Sequence, residues 1–269
     1  MSSKIGVCIL SYNRPEYLRK AIESVLNQSL RPSWVEIMDN GSDPSVREPV
    51  KGWIEDGSIL WKGEPVNKGV HWNFQKALAR GDSADYLYIM HDDDVLLPSF
   101  LKEGVGFMSN HPELVALACN GYEIDSDGNR IGNLHNPKRR KNVEFFPSVG
   151  DMVNLYMKTF MAFPSIIYRG EFLAGVEVPS RFGQLVDVVF LTELARKGGL
   201  AYLNKRLFEY RVHGGQDSTV FKEDDWRLLE KYYLSLSKEF PGLSWRIKAY
   251  LARRRLSRYW KKIKRKLLS

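Results

Sequence analysis

The chain has 269 residues, 43% hydrophobic and 12% aromatic, which is enough to bury a full core as one large or two small domains. No stretch approaches the roughly 18 apolar residues that a membrane span needs, and no signal peptide is visible, so a membrane-spanning chain is not expected. The net charge of +8 is concentrated at one end: eleven Lys and Arg and no acidic residue lie between Ser244 and Ser269, leaving 29 basic against 32 acidic residues elsewhere, a net of −3. Cys8 and Cys119 sit inside apolar runs and read as buried thiols rather than a disulfide.

In chain order, Lys4 to Leu10 reads as a buried strand ending in Ser11, Tyr12, Asn13 and Arg14. Pro15 suits a first helical turn and opens an amphipathic helix through Tyr17, Leu18, Ala21, Ile22, Val25 and Leu26. Trp34 to Met38 forms a second strand ending in Asp39, Asn40, Gly41 and Ser42. A weaker helical stretch from Val46 to Glu55 leads to a third strand at Ile59 to Trp61, followed by Asn67, Lys68 and Gly69. A helix from about His71 to Ala79 and a strand from Tyr86 to Met90 complete four strand–helix alternations, the pattern of a largely parallel α/β sheet. Polar residues cluster at the strand ends, and in parallel neighbours these ends share one crevice where a nucleotide binds. No GxGxxG or GxxxxGK[ST] loop follows the first strand, so neither a dinucleotide fold nor a P-loop is indicated.

The fourth strand runs into His91, Asp92, Asp93 and Asp94, and adjacent carboxylates repel unless a cation neutralises them. Carboxylate oxygens suit Mg²⁺ or Mn²⁺, which is held by one or two protein carboxylates together with substrate phosphate oxygens. Short acidic runs also serve as solvated turns or helix caps, and Asp94 is placed to serve the helix after Pro98.

Ser-Tyr-Asn-Arg-Pro after strand one, Asp-Asn-Gly-Ser after strand two, Asn-Lys-Gly further on and the Asp-rich end of strand four resemble the family 2 glycosyltransferases. The resemblance covers Lys4 to Pro98, and more weakly Phe163 to Ser218. It implies the GT-A fold, an α/β architecture with a mixed, mostly parallel central sheet flanked by helices, and an inverting transfer from a nucleoside-diphosphate sugar. It also implies that Ser11, Tyr12 and Arg14 line the nucleobase side and that Asp39 accepts the N3–H of uracil or thymine. Asn67 and Gly69 would lie along the nucleotide, Asp92 would approach the ribose and sugar, and Asp93 would be the main ligand of Mn²⁺ or Mg²⁺. The family often has Asp where this chain has His91, so the working pair among the three aspartates stays open, with Asp94 a candidate.

Beyond Pro98, Phe100 to Met108 is helical and Leu114 to Cys119 is a buried strand. Asp125-Ser126-Asp127-Gly128 reads as a hairpin turn, since the remaining ligands of a calcium loop are missing. Asn133 to Val143, with Lys138, Arg139, Arg140 and Lys141, is a polar loop, and Ser165 to Tyr168 is a further strand. Gly183 to Asp187 precedes a helix reaching about Lys197. In the resembled family an acidic residue opening this helix is the general base, which points to Asp187, with Glu193 in reserve; Asp187 also suits a helix N-terminus for dipole reasons alone. Tyr210-Arg211-Val212-His213-Gly214-Gly215-Gln216 resembles the segment that closes over the donor diphosphate, with His213 a candidate metal ligand and His213 or Arg211 offsetting leaving-group charge.

Near the C-terminus, Leu256, Tyr259, Trp260, Ile263 and Leu267 form a helical apolar stripe among cations. Trp245–Leu268 therefore suits an anionic membrane surface better than nucleic acid or a coiled coil. The expected organisation is a transferase domain over 1–220, with a nucleotide half (1–98) and an acceptor half (99–220), and a basic helical extension over 221–269. The expected activity is sugar transfer to a hydroxyl of a glycan or lipid-linked acceptor in bacterial surface polysaccharide synthesis, cytoplasmic and peripheral to the inner face of the membrane. Two rivals are a metal-dependent nucleotidyltransferase, which would release pyrophosphate, and a basic nucleic-acid-binding adaptor, whose binding would be strongly salt-dependent.

Overall fold

β1 (Ile5–Ser11) is buried at every position, so both its faces require a covering layer. The computed structural model describes residues 3–134, 141–214 and 223–268, apart from the side chains of Gln184, Glu223 and 259–268. Lys138, Arg139 and Arg140 of the polar loop, Gly215 and Gln216, and the side chains of Tyr259, Trp260, Ile263 and Leu267 lie outside the described residues.

β2 (Trp34–Asp39), β3 (Leu60–Gly63) and β4 (Tyr86–His91) join β1 in the order β3-β2-β1-β4, all parallel. On one face α1 (Pro15–Leu26) packs Leu18, Ala21, Ile22 and Val25 into the cluster that holds Ile5, Val7 and Ile9. A 3₁₀ turn over Pro44–Val50 and the short α2 (Lys51–Glu55) lead into β3. On the opposite face α3 (Val70–Leu78) sets Phe74, Ala77 and Leu78 with Cys8 and Leu10. The register places Ser11 opposite Asp39, Leu10 opposite His91 and Asp39 opposite Gly63, so the polar strand ends open at one edge as expected. Gly41 fits there because it adopts φ 77° and because a Cβ would lie 2.4 Å from the backbone of Val66.

The second half makes the sheet mixed. After β5 (Val95–Leu96) and α4 (Phe100–Ser109), β6 (Leu114–Ile124) turns through Asp125–Asn129 into β7 (Arg130–Asn133). Asp125 Oδ1 accepts from the N–H groups of Asp127, Gly128 and Asn129 at 3.0, 2.9 and 2.8 Å, so this segment is a turn, as read. β8 (Val143–Phe146) and α5 (Val149–Tyr156) were not foreseen. β9 (Ile166–Arg169) then inserts antiparallel between β4 and β6. α6 (Val186–Leu194), β10 (Gly199–Arg211), α7 (Glu223–Glu239) and α8 (Ser244–Leu268) follow.

β6 and β10 pair in parallel along their length but exchange outer partners midway. β6 pairs with β9 over Ala116–Ala118 and with β7 near Tyr122; β10 pairs with β8 over Leu200–Leu203 and with β5 at Phe208 and Glu209. Register shifts between Leu203 and Phe208 mark the bulge that bends β10, and the bend carries its end back to the residues following Asp94.

Candidate active site

The acidic run is built into the protein. Asp92, Asp93 and Asp94 are 2%, 5% and 1% exposed, which excludes a solvated turn. Each carboxylate is fixed from a different part of the chain. Asp92 accepts from the Tyr12 N–H (2.9 Å) and from Arg14 Nη1 (3.1 Å), and the same nitrogen lies 3.0 Å from Asp93 Oδ2. Asp93 Oδ2 is also 3.0 Å from His213 Nε2. Asp94 Oδ1 accepts from the backbone N–H of Arg211 (3.0 Å), a contact that the pairing of β5 with β10 makes possible.

Three neighbouring carboxyls do not ionise alike. Burial, reinforced by the charge of Asp93, raises Asp92 to about 7 against the pull of Arg14. Burial and Asp93 likewise push Asp94 well above the usual carboxylate range. For Asp93, burial acts in the same direction, but His91, the His213 hydrogen bond and Arg14 together outweigh it and hold the group below its ordinary value. Asp93 is therefore the most acidic of the three carboxyls.

One ligand atom each from His91, Asp93 and Asp94 lies within 4.8 Å of the others. Asp94 Oδ2 is buried with no hydrogen-bond partner among the described residues. An orphaned buried oxygen beside a second carboxylate and an imidazole fits Mn²⁺ or Mg²⁺. His91, the residue that departs from the family pattern, thus completes the trio, while His213 approaches from β10's end and contacts Asp93.

Arg211 has another place than the one expected for offsetting leaving-group charge. It is 1% exposed, and its guanidinium donates to the carbonyls of Asp93 (2.8 Å), Asp125 (2.9 Å) and Ser126 (3.1 Å) and stacks over Tyr17. These bonds clamp the acidic loop to the β6–β7 turn.

Of the residues expected to line the nucleotide, Ser11 lies opposite Asp39 in the register and the Asn67–Gly69 loop is tied to Asn40 beside it, while Tyr12 and Arg14 bond the acidic run. Asp39 is buried, and the Ser42 N–H approaches its two oxygens at only 3.3 and 3.4 Å, so it retains acceptor capacity. Asn40, which the sequence reading left as a turn residue, ties the loops together: its Nδ2 donates to Asn67 Oδ1 (2.9 Å) and its Oδ1 accepts from the Lys68 N–H (2.9 Å). Asn67 Oδ1 also accepts from the N–H of Gly69, whose φ of 89° suits glycine. The signal for Asn40 was its position one residue beyond Asp39, but nothing local distinguishes a tie between loops from an ordinary turn.

Asp187 lies in the first turn of α6, partly exposed at its surface. Burial raises its pKa to about 6, so it is a stronger proton acceptor than an ordinary carboxylate and still ionised at neutral pH. Its helix reaches His91 through aromatic packing: Phe190, one turn on, lies 6.4 Å from Phe163, which stacks on His91 at 6.1 Å. Glu193, the reserve base, is engaged elsewhere, accepting from Tyr232 Oη (2.7 Å) and Arg196 Nε (2.6 Å).

This fold and this strand-end site define a class. The chain belongs to glycosyl transferase family 2, whose family model matches residues 6–168. Among curated proteins it is similar to an uncharacterized glycosyltransferase of Methanocaldococcus jannaschii, 29% identical over 136 residues that cover 46% of this chain and 44% of that protein. It is also similar to the abequosyltransferase RfbV of Salmonella typhimurium, 27% identical over 146 residues, 53% of this chain and 43% of that one. The chain thus matches less than half the length of either relative. Among solved structures, residues 1–349 of S. aureus TarS in complex with UDP-GlcNAc superpose with a TM-score of 0.69 at 16% identity, over 87% of this chain and 66% of that TarS fragment, and this likeness establishes the GT-A fold.

Proposed function

We propose that this chain is an inverting glycosyltransferase that moves a sugar from a UDP- or dTDP-type donor to a hydroxyl of a glycan or lipid-linked acceptor. The observation that carries the reading is the meeting of Asp39, Asn67 and the His91–Asp94 cluster at the ends of adjacent parallel strands. The nucleotide-sugar complex of TarS and the sugar transfer in the name of RfbV support it.

In this reading Asp39 accepts the N3–H of the base and Ser11, Tyr12, Arg14, Asn67 and Gly69 line the nucleotide. Asp92 faces the ribose and sugar. Asp93, Asp94 and a histidine, His91 or His213, would hold Mn²⁺ or Mg²⁺, which when bound neutralises the departing nucleoside diphosphate. Asp187 removes the proton of the acceptor hydroxyl, whose oxygen then attacks the anomeric carbon from the face opposite the diphosphate. A single displacement of that kind inverts the anomeric configuration.

Thermal unfolding with a panel of nucleotide sugars tests this directly. A UDP- or dTDP-sugar is expected to raise the melting temperature in the presence of Mn²⁺, and turnover with acceptor should release nucleoside diphosphate. No shift with any donor, or release of pyrophosphate, overturns the reading.

The organisation that goes with it is a transferase domain over 1–220 and a basic extension over 221–269 that rests on the inner face of a bacterial membrane, where a lipid-linked acceptor for surface polysaccharide would lie. No described helix is long and apolar enough to cross a membrane. Ile247 and Leu251 of α8 are committed to the core, while Trp245 and Leu256 are 67% and 59% exposed. Each cation near an anionic surface contributes about 1 kcal/mol, so co-sedimentation with phosphatidylserine vesicles should be strong at low salt and lost on truncation after Ala252. Equal sedimentation with neutral vesicles would count against the membrane assignment.

A further inference from the structure

Beside Asp39 lies a group of atoms that neither the sequence motifs nor the metal cluster explains. Gly63 is the strand partner of Asp39, and a methyl group built on it would sit 3.0 Å from Arg47 Nη2, 3.1 Å from Trp61 Nε1 and 3.4 Å from Asp39 Oδ2. Two donors and one acceptor therefore crowd the one position that a side chain at residue 63 would take, and they can lie so close only because that residue is glycine. Trp61 Nε1 is buried and has no acceptor among the described residues. A buried N–H without an acceptor is costly, and such an atom in a native fold calls for a partner that the chain does not supply. The guanidinium of Arg47 lies over the Trp61 ring at 4.9 Å. Arg47 itself is exposed on the 3₁₀ turn, free to shift as a ligand enters.

A carboxylate alone is a poor reader of bases, because it accepts the N3–H of uracil and the N1–H of guanine equally well. An acceptor flanked by two donors is selective. Its complement is an edge that presents acceptor, donor and acceptor in sequence, which is the O2, N3–H and O4 edge of uracil and thymine. Guanine presents an amino group where one carbonyl should be, and cytosine presents an unprotonated N3 to the carboxylate. A mismatched edge leaves a buried donor or acceptor unpaired, the condition under which a polar site discriminates strongly.

We propose that Trp61 Nε1 and Arg47 are specificity-determining residues that donate to the two carbonyls flanking N3–H of a uracil or thymine base as Arg47 shifts to admit it, with Gly63 leaving no side chain between them and Asp39. The assignment rests on the nucleotide-sugar reading above and adds to it the groups that choose the base.

Calorimetric titration of UDP, dTDP, GDP and CDP with Mg²⁺ into the intact chain and into Trp61→Phe and Arg47→Ala variants tests it. The unsubstituted protein is expected to bind UDP and dTDP at least about tenfold more tightly than GDP and CDP, as one unpaired buried group implies. Trp61→Phe keeps the ring and removes the donor, so this preference should shrink about tenfold, while affinity for inorganic pyrophosphate stays unchanged. Should Trp61→Phe fail to fold, the exposed Arg47→Ala decides by the same ratio. A preference unaltered in the folded variants removes this assignment and leaves the wider reading standing. Failure of the unsubstituted chain to bind any of the four nucleotides overturns both.

Discussion

Asn in place of Asp93 is expected to lower sugar transfer about 10³-fold, the scale of a lost electrostatic contribution of several kcal/mol at the leaving group. Asp93 is singled out because its neighbours make it the most acidic member of the cluster: Arg14 and His213 both bond its Oδ2, whereas burial and Asp93 itself raise Asp92 and Asp94. The substitution keeps the shape of the side chain and removes a charge that raises both other aspartates, so the metal-free fold should persist. The decisive readout is independent of turnover. Mn²⁺ at about 100 times its dissociation constant stabilises a protein that binds it by about 2.7 kcal/mol, and this gain should vanish in the variant. An Asp93→Asn protein that is still stabilised by Mn²⁺ and still transfers sugar would remove the residue from the site.

Asp187→Asn should cost about 10²–10⁴-fold in kcat, the range that general-base catalysis supplies, with donor binding intact. The pH dependence gives the sign. With its pKa raised to about 6, Asp187 is protonated below that value and cannot accept the hydroxyl proton, so kcat/KM should fall about tenfold per pH unit on the acid side and level off above pH 7. The residual activity of the variant should lack this limb. A limb near pH 6 that survives the substitution would assign the titration, and the role of base, to another group.

The parts of the fold that were legible in the sequence are those in which local pattern and tertiary environment agree. β1 and β4 are apolar at nearly every position and buried at nearly every position, and α1 begins at Pro15 with its apolar residues on one face. The four strand-end motifs were likewise visible, because turn-forming polar residues stand out after an apolar run. β5 was not: two residues, Val95 and Leu96, carry no periodicity and become a strand only because β10 bends back to meet them. The antiparallel placement of β9 between β4 and β6 is equally silent, since four residues of strand carry no mark of their direction. In the site, the aspartates were readable as a cluster, but the unequal ionisation of its members was not. That inequality comes from burial and from Arg14 and His213, which lie 79 and 120 residues away. Trp61 and Arg47 escaped notice for a related reason: an indole in a short strand and an arginine in a turn look ordinary until the fold gathers their nitrogens at Gly63, the strand partner of Asp39.

The clamp formed by Arg211 has a bearing on how the protein is made. It fastens the backbone of Asp93 and the side chain of Asp94 from 118 and 117 positions further along, so those carboxylates take their final orientation only after the last strand has been added. Ser11, Asp39 and Asn67 stand at strand ends supplied by the first 70 residues, whereas Asp93 and Asp94 depend on the far end of the chain for these two bonds. The acidic loop is thus completed from the far end of the chain, and a product lacking that strand would lack both of these bonds.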